Sequence, residues 1–234
     1  MFYFKGTRIP NFKNITSVEN VFDNYWENDG LQMRSKLMER ENIFFDWILP
    51  GSKVLSIGCG NSRLLYELKK QKNCDVCGID IAEEAINTLK QQGIKAYRAN
   101  ANEPIDFEKL FGNRNINFDY IIVSELLQQL SMPEKFVQNI KERTRYLILS
   151  IPNSAFYRYR MGLFFGGHFF TQWDKHPAET LRYWSHSDFL NWLKTVGLKT
   201  ISVIPSNGLS FRFLKLYKIW PNLFGHQICY LTEV

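Results

Sequence analysis

Apolar residues in this chain fall into short runs separated by stretches of helical periodicity. Residues 54–57, 76–79, 120–123 and 146–151 are apolar with little polar alternation, and 96–99 is a weaker run of the same kind. Such runs fit the strands of a parallel sheet covered on both faces. Between them, 62–70 repeats Leu64, Leu65 and Leu68 at helical spacing, and 83–91 repeats Ala85, Ile86 and Leu89 before Gly93 stops it. Pro133 stands in the first turn of a helix that is predicted to reach Arg143. This succession of βα-type units predicts an α/β sheet with helices on both sides. Upstream, Leu37, Met38, Phe44, Phe45 and Ile48 recur within 31–49 at spacings of three, four and seven, which predicts a helix with one apolar face, ended by Pro50-Gly51. Downstream, 154–186 is aromatic, basic and irregular, with Gly162, Gly166 and Gly167. A helix over 187–196, a strand over 200–204, a second irregular aromatic stretch over 206–226 and a strand over 227–231 follow. The last two strands read as a hairpin added to the sheet edge.

Composition narrows the class without changing this picture. A chain of 234 residues with 45% hydrophobic and 22% charged residues fits a single globular domain, and excludes a disordered, collagen-like or coiled-coil chain. No stretch approaches the ~18 uninterrupted apolar residues of a membrane span. The start, Met1-Phe-Tyr-Phe-Lys-Gly, lacks the charged and apolar regions of a secretory leader. The expected location is therefore cytoplasmic, with no membrane partner. Cys74 and Cys77 form a CxxC with no second Cys or His pair nearby, so both read as structural and no metal is expected. Charge is uneven: 141–218 holds 12 Lys/Arg against 4 Asp/Glu, in a chain whose net charge is +6. A basic half fits an anionic substrate or an acidic partner, or else a solvated basic surface. The lack of any run of five basic residues argues against nucleic acid.

Candidate chemistry begins at Val54-Leu-Ser-Ile-Gly58-Cys59-Gly60-Asn-Ser62, which reads as a strand, a glycine turn and a helix start. Glycine permits a tight turn and the approach of a ligand to backbone N–H groups. Asp80 ends the next apolar strand, at the place where a carboxylate accepts both hydroxyls of a ribose. Ser62 stands where a dinucleotide-binding turn has its third glycine, which favours a nucleoside without a pyrophosphate. The plainer alternative is a tight βα turn beside a surface aspartate.

The order VLSIGCG, GIDI and FDYIIVSELLQQL resembles the class I S-adenosylmethionine (SAM)-dependent methyltransferases. The resemblance implies a Rossmann-like, seven-stranded, mainly parallel sheet of order 3-2-1-4-5-7-6, with strand 7 antiparallel and SAM as cofactor. It divides one methyltransferase domain into an N-terminal helical extension (1–50), a SAM-binding core (51–153), an acceptor cap (154–186) and the C-terminal part of the sheet (187–234). By the same resemblance, Gly58, Cys59 and Gly60 face the methionine moiety, and Asp80 with Ile81 holds the ribose. Asn100 with Ala101 reads the adenine ring, and Ser124, Glu125 and Leu126 line the adenine and methyl-transfer region. Tyr25, Trp26 and Arg34 belong to a segment that closes over the cofactor, Arg34 offering a cation to its carboxylate. Within the superfamily the chain is similar to the MetW-like group. It shares Pro50-Gly-Ser, Phe118-Asp-Tyr-Ile-Ile-Val-Ser-Glu-Leu-Leu-Gln, Ser150-Ile-Pro-Asn153 and Trp220-Pro-Asn-Leu-Phe-Gly with it. One departure is Ser56, where the family carries Asp or Glu facing the SAM amino group.

Methyl transfer from a sulfonium asks for in-line positioning and, for a hydroxyl acceptor, a base. The 154–186 insert offers Tyr157, Arg158, Arg182 and Tyr183 for substrate binding, and His176, stiffened by Pro177, as the base. It is expected to cap the carboxyl ends of the strands, or else to form a homodimer interface. No DPPY- or NPPF-like tetrapeptide follows the fourth strand, which argues against methylation of a nucleobase amino group. The expected function is SAM-dependent methylation of a small anionic acceptor, with O-methylation of a sugar or sugar phosphate favoured. The alternatives are a MetW-like protein that binds SAM and regulates an acyltransferase partner in methionine synthesis, and an RNA methyltransferase.

Overall fold

Strands that are apolar along their whole length need cover on both faces, and the chain provides it by alternation. The structure is a computed structural model that describes residues 34–166, 180–211 and 214–234. In chain order the elements are α1 (Glu39–Trp47), β1 (Lys53–Ile57), α2 (Arg63–Lys72), β2 (Asp75–Asp80), α3 (Glu83–Gln91), β3 (Lys95–Arg98), α4 (Phe107–Phe111) and β4 (Phe118–Ser124). After a 3-10 turn (Leu127–Gln129) come α5 (Pro133–Lys141), β5 (Thr144–Pro152), α6 (Tyr157–Gly166), α7 (His186–Thr195) and β6 (Lys199–Ser206). A small hairpin of β7 (Ser210–Phe211) and β8 (Leu214–Lys215), then α8 (Leu216–Ile219), α9 (Pro221–Phe224) and β9 (Gln227–Glu233) complete the chain.

Seven strands form one sheet in the order β3-β2-β1-β4-β5-β9-β6. The pairs from β3 through β5 are parallel, whereas β9 runs antiparallel to both β5 and β6. Because β9 is the seventh strand of this sheet, the order is the expected 3-2-1-4-5-7-6. The closing hairpin has its later strand inside and β6 at the edge. Phe44 and Ile48 of the α1 region, Leu64, Leu65 and Leu68 of α2, and Ile86 and Leu89 of α3 bury one face of the sheet. Phe107, Phe136, Val137, Ile140, Phe189 and Leu193 from α4, α5 and α7 bury the other. Among the described residues no helix is long and apolar enough to cross a membrane.

Local chemistry fixes the element ends. The Ser62 hydroxyl caps α2 by accepting from Leu65 N at 3.2 Å, so the serine in the third glycine position is a helix cap. Ser185 and Asp188 form a capping box at α7. Lys72 Nζ donates to Ile48 O at 2.6 Å and ties the end of α1 to α2. Of the helix expected over 31–49, the described residues show Glu39–Trp47. Part of 154–186, expected to be irregular, is the helix α6; none of its residues that is described is buried in its interior face, so it has no apolar stripe to read. Tyr25, Trp26 and His176 lie outside the described residues.

Gly78 illustrates how tightly the sheet meets the turn above it. A Cβ there would lie 2.7 Å from Cys59 Sγ and 3.1 Å from Leu89 Cδ1. Gly78→Ala is therefore expected to destabilise the protein by about 1–3 kcal/mol. Cys59→Ala in the same chain should return part of that loss. Urea midpoints of the four species measure the coupling, and strictly additive losses would contradict the contact.

Candidate active site at the strand ends

The glycine turn after β1 is built by left-handed backbone at Gly58 (φ 67°) and Gly60 (φ 51°). Its N–H groups turn toward β2. Gly58 N and Cys59 N both donate to Ile79 O, at 2.8 and 3.1 Å, and Gly60 N donates to Asp80 Oδ2 at 2.7 Å. Asp80 Oδ1 accepts from Ala82 N at 3.0 Å. The expectation that these N–H groups would face a ligand is thus corrected: β2 engages them. An ionised carboxylate oxygen accepts more than one hydrogen bond, so Asp80 can hold the turn and still receive a hydroxyl. Leu126 packs over the turn, with its Cδ2 only 3.0 Å from where a Cβ on Gly58 would sit. Cys59 directs its thiol toward Gly78; burial and then the Asp80 charge push that thiol well above its ordinary pKa. Ser56 is buried within β1, in register with Gly78 and Ile122.

Beyond β3, Asn100 shapes its own turn, its Oδ1 accepting from Asn102 N at 3.0 Å and its carbonyl from Glu103 N at 3.0 Å. Ala101 packs on the core, and Ile81 O accepts from Arg98 Nε at 2.9 Å. Asn102 Oδ1 accepts from the backbone N and hydroxyl of Ser131, at 2.9 and 3.0 Å. Arg182 donates to Ser131 O at 2.8 Å, and Leu181 N donates to Gln128 O at 2.7 Å. Three loops are thereby joined at the carboxyl ends of the strands. Arg182, expected to meet substrate, takes part in that joint, and Tyr183 beside it is exposed.

Glu125, directly after β4, adopts left-handed backbone (φ 54°), a conformation costly for a non-glycine residue. Its N–H donates to Ser150 O, and its carbonyl accepts from the amides of Gln128 and Gln129 at 2.7 and 3.0 Å. Burial raises the pKa of its carboxyl, while Arg40, Ser150 and Gln227 draw it down. Glu125 Oε1 and Arg40 Nε are both buried without a hydrogen-bond partner among the described residues. The Ser124 and Ser150 hydroxyls lie 3.0 Å apart. Arg34, offered for the cofactor carboxylate, pairs with Glu41 Oε1 at 2.7 Å. Arg158 Nε donates to the Tyr157 hydroxyl at 3.2 Å, both at the start of α6.

The sequence reading missed Arg40 and His226. His226 sits just before β9, whose Gln227 pairs with Pro152 at the end of β5. Its Nε2 lies 2.5 Å from the Tyr159 hydroxyl, and its ring is 5.2 Å from that of Phe156. The signal for it was positional: a residue entering an antiparallel last strand arrives at the carboxyl ends of the parallel ones. Among the described residues no group of three or more His, Cys, Asp or Glu is placed to hold a metal ion. All four cysteines are free, and burial pushes Cys77 up to about 12.

This sheet order, the glycine turn and the strand-ending aspartate define a class I methyltransferase, the class whose cofactor is SAM. The family model for methionine biosynthesis protein MetW matches residues 39–232, and the chain belongs to that family. It is 25% identical over 170 residues to a ubiquinone biosynthesis O-methyltransferase from Idiomarina loihiensis, covering 71% of this chain and 68% of the relative. It is also 25% identical over 130 residues to the bifunctional methionine biosynthesis protein MetXA/MetW of Rhodopirellula baltica, covering 51% of this chain and only 20% of that protein. In fold it is similar to a SAM-dependent methyltransferase from Archaeoglobus fulgidus, with a TM-score of 0.60 and 15% identity over 91% of this chain and 99% of the other.

Proposed function

We propose that the protein transfers the methyl group of SAM to a hydroxyl of a small anionic acceptor. The observation that carries this reading is the Asp80 carboxylate, which fixes Gly60 N–H and Ala82 N–H together at the ends of β1 and β2. A carboxylate held there suits the two hydroxyls of a ribose. When bound, SAM supplies an electrophilic methyl on a sulfonium. The protein's part is to hold the nucleoside at Asp80, with the turn at Gly58 and Gly60 beneath it and Leu126 beside it, and to orient the acceptor over β4 and β5. The O-methyltransferase relatives and the basic 141–218 half support a hydroxyl on an anionic compound, of which a sugar phosphate is one form. Transfer to an acceptor panel of hydroxylated phosphates and carboxylates, read as S-adenosylhomocysteine release, tests the reading alongside calorimetry of S-adenosylhomocysteine binding. Absence of binding would overturn it. Ser56 and the MetW family match favour a second reading, a SAM-binding regulatory protein without turnover. Binding with no product from any acceptor would select that one.

A further inference from the structure

Two stretches of chain leave the sheet at the carboxyl ends of its parallel strands. Helix α6 follows β5, and residues 207–226 run from the end of β6 to the start of β9. Their roots are bound together. The rings of Tyr157 and Phe224 lie 6.0 Å apart, Arg160 Nη2 donates to Asn222 O at 3.4 Å, and Asn153 Nδ2 donates to the carbonyl of Gly225 at 2.8 Å. Beyond those roots both stretches turn large apolar side chains to solvent. Phe164 and Phe165, in the last turn of α6, are 81% and 73% exposed, their rings edge to face at 4.9 Å. Ile219 and Trp220, at the end of α8, are 68% and 58% exposed, and Leu214 on the hairpin beside them is exposed too. No residue of α6 is buried, so no inner face accounts for its apolar content. Single exposed apolar residues are ordinary, but several gathered on adjoining segments mark an interaction surface.

The charge on the same segments is of one sign. Arg158 and Arg160 on α6, with Lys215 and Lys218 before and within α8, are exposed, whereas residues 154–166, 180–187 and 206–226 contain no Asp or Glu. Among the described residues Lys215 meets the Glu39 carboxylate at 3.8 Å, while Arg158, Arg160 and Lys218 make no ion pair. A second copy of this chain, docked symmetrically here, would set these cations against their own kind. Exposed Phe, Trp and Ile among Lys and Arg, without carboxylates, is the make-up of a segment that lies in a membrane interface. We infer that these two stretches bind the surface of an anionic bilayer. Phe164, Phe165, Ile219 and Trp220 enter the boundary between headgroups and acyl chains, and Arg158, Arg160 and Lys218 meet lipid phosphates. The contact is with one leaflet, since no described helix is long and apolar enough to cross. The inference is independent of the methyl-transfer reading.

Sedimentation of the full-length protein with vesicles tests this, comparing phosphatidylcholine alone with an equal mixture of phosphatidylcholine and phosphatidylglycerol. The expected result is binding to the mixture and far weaker binding to phosphatidylcholine. Phe164→Ser combined with Phe165→Ser, and separately Ile219→Ser, should each weaken binding about tenfold, and Lys218→Gln roughly fivefold at low salt. Leu49→Ser alters an exposed leucine at the opposite end of the sheet and should leave binding unchanged. All these positions are exposed, and thermal unfolding confirms that each variant is folded. Wild-type protein that stays in solution with the mixture overturns the proposal. So does binding that the Phe164 and Phe165 changes leave intact, which would be adsorption by charge alone. Subunit mass, measured without lipid, closes the remaining route: a dimer that the same two changes dissociate would assign the face to a second copy and overturn the membrane reading. Binding to soluble polyglutamate in place of the vesicles would assign it to an acidic protein, with the same consequence.

Discussion

An Asn153→Asp variant is expected to lose about 3–5 kcal/mol of stability at neutral pH, and to recover much of the loss in acid. Asn153 is fully buried at the end of β5. Its Nδ2 lies 3.3, 3.1 and 2.8 Å from the carbonyls of Pro221, Asn222 and Gly225, and its Oδ1 accepts from Ala155 N and His186 N at 3.1 and 3.3 Å. One side chain therefore ties α6, α7 and α9 to the strand end. Aspartate keeps the accepting oxygen but turns a charged oxygen toward three carbonyls. The folded state then favours the protonated acid, so the variant's carboxyl pKa is raised above its unfolded value of about 3.9. A raised folded pKa means stability is present below the unfolded value and lost as pH rises through the folded one. Urea unfolding of variant and wild type at pH 4.5 and 7.5 should give a larger difference at 7.5. An equal difference at both would show that the three carbonyls do not face a donor. Asn153→Ala removes the same bonds without the charge, and its loss should not vary with pH in this way.

The second large effect falls on ligand binding. Asp80→Asn is expected to weaken S-adenosylhomocysteine binding roughly 10- to 100-fold, the equivalent of about 1.5–3 kcal/mol for a hydrogen bond to a charged group. It should also lower stability, because an amide offers one accepting oxygen where Gly60 N–H and Ala82 N–H now have two. One of these donors would then face an NH2 group. Calorimetry reads the first effect and thermal unfolding the second. Lowered stability with unchanged affinity would reduce Asp80 to a clamp on the turn and remove it from the ribose site.

Strands of the parallel sheet were legible because their central residues are apolar with little polar alternation, which follows from cover on both faces. The helices that bury one stripe, α2, α3, α5 and α7, were legible for the same reason. What escaped has little apolar pattern to read. Helix α6 presents no buried residue, and α4 is a single turn-and-a-half whose start depends on the Asp106 cap accepting from Lys109 N. At the site, Gly58, Gly60 and Asp80 carried their own signature in spacing. The direction of the turn's N–H groups did not, because it depends on the Ile79 carbonyl in the neighbouring strand. His226 could not be placed from sequence, since only the antiparallel insertion of β9 brings residue 226 beside the end of β5.

That insertion also bears on how the protein is made. Residues 227–233 occupy an interior place, hydrogen-bonded on both sides, yet β5 and β6 are synthesised well before them. Until those residues leave the ribosome, β5 has an unpaired edge and β6 has no partner in the sheet at all. From the completion of β5 until then the nascent chain carries one open strand edge, joined by the unpartnered β6 after residue 206, the condition in which strands pair with the wrong chain. Sheet closure is a late, long-range event, and the yield of native protein should respond to chaperone supply more than the stability of the finished fold would indicate.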